Sequence, residues 1–342
     1  MAEEAVANFR TLHGAWPERE PAHWARSIWR VANRNSIADG VKFGVAAQVS
    51  APVRDLWLPF LAQFAAANGL PEPSVDLVMK PLNQYMVLNL PVVERVRLLR
   101  MHYSLLPEVA SRWVISRIWS DDSFEVGTIF GKTRSYSLRL CATPVLLTRK
   151  EGEVTIALCQ HGSDHVLAKL TYLLARSEHG RVSMMIGGIQ GPRLATGRQV
   201  IVSATRDLYG LRPRDAVLLA ASAIARNVNA SEIWAVSNSM HVHNARDRRQ
   251  RKRWFIDYDA FWVERGAQRH CPFGWSMSVP DGPTLTGTNT GGRKRDALKR
   301  DIWHLAQSAL LGPAEQIAVE NQMVVVCRSN RKYVQSSEVT SA

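Results

Sequence analysis

YGLRPRDAVLLAASAIARNVNASEIWAVSN, residues 209–238, is the stretch whose reading decides the fold class. Pro213 suits the first turn of a helix, where its missing N–H is no loss and its φ is already helical. Ala216 to Ile224 then forms the helix's apolar body, and Ile233 to Val236 is a short run of strand length. Upstream lie YSLRLCATPVLLT (136–148), VTIALCQ (154–160), HVLAKLTYLLA (165–175) and RVSMMIGGIQG (181–191), which read as consecutive strands. The tetrapeptide KEGE, Lys150 to Glu153, supplies a turn between the first two, because glycine takes the positive φ of a tight hairpin. Four strands in succession predict an antiparallel meander. Downstream, DYDAFWVERGA (257–267) reads as a short helix ended by Gly266, and FGWSMSV (273–279) as a last strand. The order strands, helix, strand, helix, strand predicts an α/β (α+β) domain with a mixed, mostly antiparallel sheet and flanking helices.

Working outward, residues 1–130 carry helical spacing, as in Trp24, Ile28 and Val31, or Leu58, Leu61 and Phe64, with a further helix from Pro91 that Pro107 should stop. A helical region over 1–130, a core over 131–300 and, over 301–342, a C-terminal helix, strand (QMVVVCR) and polar tail are therefore expected, the basic helix being read over RKRDALKRDIWHLAQSALL (293–311). The 342 residues are 46% hydrophobic and 21% charged, a globular balance. No apolar run approaches the roughly 20 residues that span a bilayer, and the acidic start MAEEAVANFR lacks a secretory pattern, so a cytoplasmic chain is expected. Four cysteines without a CxxC pair suit reduced thiols rather than structural zinc, and no metal is expected. Forty-three Lys and Arg against 30 Asp and Glu give +13, which favours anionic partners.

Six separated segments, PLNQYMVLNLPVVERVRLLRMHYSLL (81–106), KEGE (150–153), IGGIQG (186–191), DLYGLRPRD (207–215), VSNSMHVH (236–243) and DYDAFWVERGA, together resemble the bacterial VirK/YbjX family. That family is a domain of unknown function associated with virulence and cell-envelope phenotypes. The same half of the chain resembles the GNAT acyltransferase superfold. In that fold a strand, here Val182 to Ile189, runs into a loop whose amides hold a cofactor pyrophosphate at a helix N-terminus. A strand and a short FYxxxGF helix follow, which FWVERGA (261–267) imitates.

The resemblance implies an acyl- or aminoacyl-type transferase using acyl-CoA or another phosphate-bearing carrier. Gly188, Gly191 and Gly210 would admit the carrier, and Arg206, Arg212 and Arg214 would hold its phosphates. His241, with Asn238 and Ser237 beside it, would stand where a general base works. The loop departs from the acyltransferase pattern in one respect: Gly210 is followed by Leu211, Arg212 and Pro213, not by a second glycine.

Several residues carry two readings. His241 and His243 alternate on an apparent strand end, as a base, as metal ligands, or as solvated polar residues. Gly187, Gly188 and Gly191 mark close approach by a ligand or a β-bulge. Glu151 and Glu153 read as exposed hairpin carboxylates, with binding of a cationic acceptor the sharper alternative. Asp257, Asp259 and Glu264 read as helix-terminal charges or as an acidic rim. RDRRQRKR (246–253), net +5, is a solvated loop or a clasp for nucleic acid or an anionic membrane surface, with Trp254, Phe255 and Tyr258 available for stacking. The second functional class is thus a non-catalytic basic adaptor.

Overall fold

The computed structural model describes residue 44 and residues 50–177, 179–192, 197–245, 257–270 and 273–312. Its centre is one eight-stranded sheet of β1 (Ser123–Phe130), β2 (Ser135–Ala142), β3 (Val154–Gln160), β4 (Val166–Arg176), β5 (Val182–Gln190), β6 (Ala230–Val236), β7 (Gln268–His270) and β8 (Gly274–Ser278), in the order β1-β2-β3-β4-β5-β6-β8-β7. Neighbours are antiparallel except β5 and β6, which run parallel. The chain is therefore α+β with a mixed, mostly antiparallel sheet, and the meander expected from 136–191 is present.

The central strand β4 explains why its sequence is almost continuously apolar. Successive side chains point to opposite faces, so both faces of a covered strand must be apolar. Leu170, Tyr172 and Leu174 join one core and Leu173 and Ala175 the other. The first face is covered by α6 (Pro213–Asn227) and α8 (Thr290–Gln307), which supply Val217, Ala220, Ile224, Leu298 and Ile302, with α5 (Gly197–Asp207) beside them.

The second face is covered by helices N-terminal to the sheet. They are α1 (Leu58–Asn68), entered through a wide turn at Pro52–Trp57, α2 (Val75–Met79) and α3 (Val92–Val109). Phe64, Tyr103 and Trp119 interlock here at ring separations of 5.4–5.8 Å. The helix α4 (Arg112–Trp119) joins the layers, placing Val114 and Ile118 in one core and Ile115 and Trp119 in the other.

Several expectations are corrected. The strand β1 lies within 1–130, read as helical; its SFEVGTIF pairs with β2 over most of its length. Pro107 does not stop α3, which continues to Val109 before Ala110 turns extended. The connection holding KEGE is the long segment 143–153, not a tight hairpin. The helix α8, capped by Asn289, begins at Thr290, close to the basic helix read over 293–311, and so starts before the region expected over 301–342. The short strand β7 and the helix α5 were not foreseen: α5 buries only Gly197, Ala204 and Asp207, too thin an apolar stripe to read. Trp24, Ile28, Val31, QMVVVCR and RDRRQRKR lie outside the described residues. Cys141 and Cys159 are buried free thiols, and burial pushes Cys141 up to about 12.

Candidate functional site

The parallel pair β5/β6 forms a fork. Its register runs from Val182↔Ala230 to Ile186↔Ala235 and ends there, while β5 continues to Gln190 against β4. Gly187 is the extra residue of a bulge: Thr171 faces Gly188 and Tyr172 faces Ile186. A bulge bends its strand and increases local twist, which turns the last residues of β5 away from β6.

Into this place comes the 143–153 segment. A Cβ on Gly187 would overlap the Glu151 carbonyl oxygen, and one on Gly188 would overlap the Glu151 carboxylate. The glycine pair in IGGIQG is therefore what lets Glu151 reach the fork. Gly152 makes the crossing possible in turn: its φ is +151°, and a Cβ there would lie 2.7 Å from the Tyr172 carbonyl oxygen. Residues from both sides close over the segment. Met86 N–H donates to the Lys150 carbonyl at 2.7 Å, Leu88 N–H to Met240 at 2.8 Å, and Val87 bridges His241.

Glu151 and Glu153 are consequently 1% and 2% exposed, which overturns their reading as exposed hairpin carboxylates. Their surroundings differ. Glu153 accepts from Tyr85 OH at 2.5 Å and Tyr103 OH at 2.8 Å, and Lys80 Nζ lies 2.7 Å away. Burial, then the Glu153 charge, pushes both tyrosine hydroxyls well above their ordinary range.

Glu151 Oε1 accepts from Gln190 Nε2 at 2.5 Å and lies 3.3 Å from His243 Nε2 and 3.7 Å from His241 Nε2. Glu151 Oε2 is buried and has no hydrogen-bond partner among the described residues. Leaving a buried charged oxygen unsatisfied costs on the order of 1–3 kcal/mol or more.

His241 is 1% exposed and stacked on Tyr258, with ring centroids 4.8 Å apart. Burial, and then the neighbouring His243, pushes it down to about 3, so it stays neutral. Its Nδ1 accepts from His243 N–H at 3.2 Å, which puts the proton on Nε2, facing Glu151. The two histidines do not sit on a strand; β6 ends at Val236, and Val242–Ala245 forms a 3-10 turn. Tyr258, read as a stacking residue for bases, is buried. Its hydroxyl accepts from the Ile189 backbone N–H and is raised by burial and by Glu151. Among the described residues no group of three or more His, Cys, Asp or Glu could hold a metal ion.

The other predicted positions divide. Gly191 lies beside Arg214, whose Nη2 would be 3.5 Å from a Cβ there, and burial holds the Arg214 guanidinium below the usual arginine range. Gly188, Gly191, Arg214 and His241 thus gather around the fork. Arg212 pairs with Glu264 at 3.2 Å, and Gly210, at φ +89°, closes α5 through its N–H to the Thr205 carbonyl. Arg206 lines a separate concavity that contains none of the fork residues.

Asn238 and Ser237 are engaged in holding the turn after β6. Asn238 Nδ2 donates to Asp257 at 2.7 Å, and its Oδ1 accepts from Tyr258 N–H at 2.8 Å. Ser237 Oγ accepts from Met240 N–H at 3.3 Å. Asp257 caps α7 (Tyr258–Val263), and Asp259 accepts from Trp275 Nε1 at 2.7 Å, so neither forms an acidic rim. Sequence reasoning gave Tyr258 another role and missed the burial of Glu151 and its bond to Gln190; the signal available was the pairing of KEGE with IGGIQG, one supplying a carboxylate and the other the space for it.

Comparison with known proteins gives the chain its family. "Uncharacterized protein YbjX" of Escherichia coli (strain K12) is 30% identical over 220 residues, covering 63% of this chain and 66% of that protein. A family model described as "Protein of unknown function (DUF535)" matches residues 33–280, which include every residue of the fork. The chain therefore belongs to the DUF535 family, the VirK/YbjX family that its six motifs resemble.

Proposed function

We propose that the fork is the active site of an acyl- or aminoacyl-type transferase that takes its acyl group from a phosphate-bearing carrier such as acyl-CoA. The observation that carries this reading is Glu151 Oε2, a buried carboxylate oxygen that lacks a hydrogen bond where β5 and β6 part. Such an oxygen suits the N–H or O–H of an acceptor, and a carboxylate in that position suits the work of a general base. His241, expected as the base from sequence, is too depressed to take a proton near neutrality and serves in this reading as a neutral donor facing Glu151.

The residues present fit such a carrier in part. Gly191 leaves room beside Arg214, which offers a cation at the fork's exit, whereas the space at Gly188 is taken by the Glu151 carboxylate. When bound, the carrier supplies an activated carbonyl. Glu151 Oε2 takes the proton from the acceptor as the new C–N or C–O bond forms and the bond to the carrier breaks. The protonated Glu151 would then pass that proton to the leaving group, which restores the carboxylate, while Tyr258, kept protonated by burial, lies beside it. The family's association with virulence and the cell envelope fits an envelope component bearing an amine or hydroxyl as acceptor.

The test is binding and transfer with acyl-CoAs and aminoacyl carriers. Carrier at about 100 times its Kd should raise stability by about 2.7 kcal/mol. Glu151→Gln should retain that effect while transfer, read by mass spectrometry, falls about 10²–10⁴-fold. Absence of binding by every carrier, with Arg214→Gln indistinguishable from wild type, sinks the transferase reading.

A further inference from the structure

The concavity that holds Arg206 has a composition unlike the fork's. It measures about 560 Å3 and is walled on one side by the β1–β2 turn, Lys132, Thr133 and Arg134, and on the other by one face of α5. That face presents Arg198, Val202 and Arg206 at four-residue spacing, with Gln199 and Ser203 alongside. Eight residues of helix separate the outer arginines, so the cationic row is about 12 Å long.

Among the described residues, the only carboxylate in the wall is already used. Asp207 accepts from Thr133 N–H at 2.9 Å, Thr133 Oγ1 at 2.8 Å and Tyr136 OH at 2.9 Å. Burial opposes its charge, but these bonds and the Arg134 backbone N–H outweigh it and hold the carboxyl below its usual range. Asp207 therefore fixes the turn to the helix and leaves the cations uncompensated. Lys132, Arg134, Arg198 and Arg206 form no ion pair among the described residues. Lys294 extends the surface: it and Lys132 approach the Tyr209 ring at 5.8 and 5.4 Å.

Two further features select the ligand. Among the described residues no aromatic ring lines the concavity itself, so nothing inside it recognises a base. An open row of cations about 12 Å long suits a flexible polyanion whose phosphates lie in the groove and whose bases rest outside. The cations line a hollow, which a flat bilayer would bridge rather than fill. We propose that the groove between the β1–β2 turn and α5 binds single-stranded nucleic acid, with Lys132, Arg134, Arg198 and Arg206 on phosphates. This is independent of the transferase reading, because the groove shares no residue with the fork.

The test is fluorescence anisotropy of the full chain with a labelled 12-nucleotide oligouridylate, at salt concentrations from 50 to 200 mM. Arg198→Gln with Arg206→Gln, both on exposed positions, should weaken binding at least tenfold at 50 mM salt. Losing two phosphate contacts should also flatten the log–log salt slope by about 1.4. The charge-matched control is Arg181→Gln with Arg226→Gln, at the opposite end of the strands from the β1–β2 turn, and it should change affinity less than threefold. Undetectable binding by wild type at 50 mM salt, an equal loss in the control pair, or retention by phosphatidylglycerol vesicles without binding of the oligonucleotide would overturn the proposal.

Discussion

Removing the cation beneath Glu153 is the most direct test of how this fold is held together. Lys80, 8% exposed, reaches Glu153 at 2.7 Å, the Gly152 carbonyl at 2.9 Å and Thr143 Oγ1 at 3.1 Å. Lys80→Met keeps the volume and deletes the charge, leaving a buried carboxylate with two tyrosine donors and no counter-ion. Breaking a buried pair from one side costs about 3–5 kcal/mol. Unfolding entropy of about 2.1 cal/mol/K per residue, taken over residues 50–312, is roughly 0.55 kcal/mol/K, so Tm should fall by about 5–9 °C.

The double variant Lys80→Met/Glu153→Gln removes both charges and keeps an acceptor for Tyr85 and Tyr103. It should recover most of the loss, within about 2 kcal/mol of wild type, so the two single costs will not add. Thermal unfolding by circular dichroism of the four proteins closes the cycle. A fall below 2 °C for Lys80→Met, or a double variant no better than the worse single, would refute the reasoning that this pair holds the 143–153 segment.

Three other outcomes follow from the same geometry. Gly187→Ala drives a Cβ into the Glu151 backbone carbonyl and should cost about 1–3 kcal/mol, whereas Gly188→Ala meets only the movable carboxylate and should cost less while disabling the fork; equal losses in Tm would contradict this. Asn238→Ala loses two hydrogen bonds that join β6 to α7 and should cost about 1–3 kcal/mol without changing carrier affinity, measured by calorimetry. His102 and His241 are both pushed down to about 3 by burial, with Lys80 adding to the first and His243 to the second. Their neutral forms are favoured by folding, so this stability is complete above pH 6.5 and drains as pH falls toward 3, at up to about 2.7 kcal/mol per pH unit. Tm measured from pH 7 to 4 checks it, and His102→Gln, which keeps an acceptor for Leu174 N–H, should reduce the slope.

Legibility in the sequence tracked the range of the interactions involved. The strands β2 to β6 and the helix α6 were readable because β4 must be apolar on both faces and Pro213 marks a helix start within its own neighbourhood. The helix α5 was not, since its outer face is basic and its inner face buries almost nothing. Gly188 and His241 were readable as residues near motif ends, and the fold brings both to the fork. The burial of Glu151 was not, because the residues that cover it, 85–88 and 240–243, lie some 65 and 90 positions away in the chain. A local reading of KEGE sees a polar turn; only the crossing over β4 turns it into an interior segment.

The two carboxylates of that segment act as an internal control on the functional reading. Glu151 and Glu153 are separated by one glycine, lie on one loop and are equally buried, yet they are treated differently. Glu153 has a cation and two hydroxyl donors, which is what a buried charge retained for structure requires. Glu151 has its donors crowded on one oxygen and none on the other, among the described residues. If burial alone explained both, the same fold that completed the shell of Glu153 would be expected to complete that of Glu151, or to replace it with an apolar side chain at less cost. Two glycines in β5 give up side-chain packing in a central strand so that this incompletely bonded carboxylate can stand at the fork. In the transferase reading we propose, that exchange of stability for position puts the chemistry at Glu151 rather than at the neutral histidine beside it.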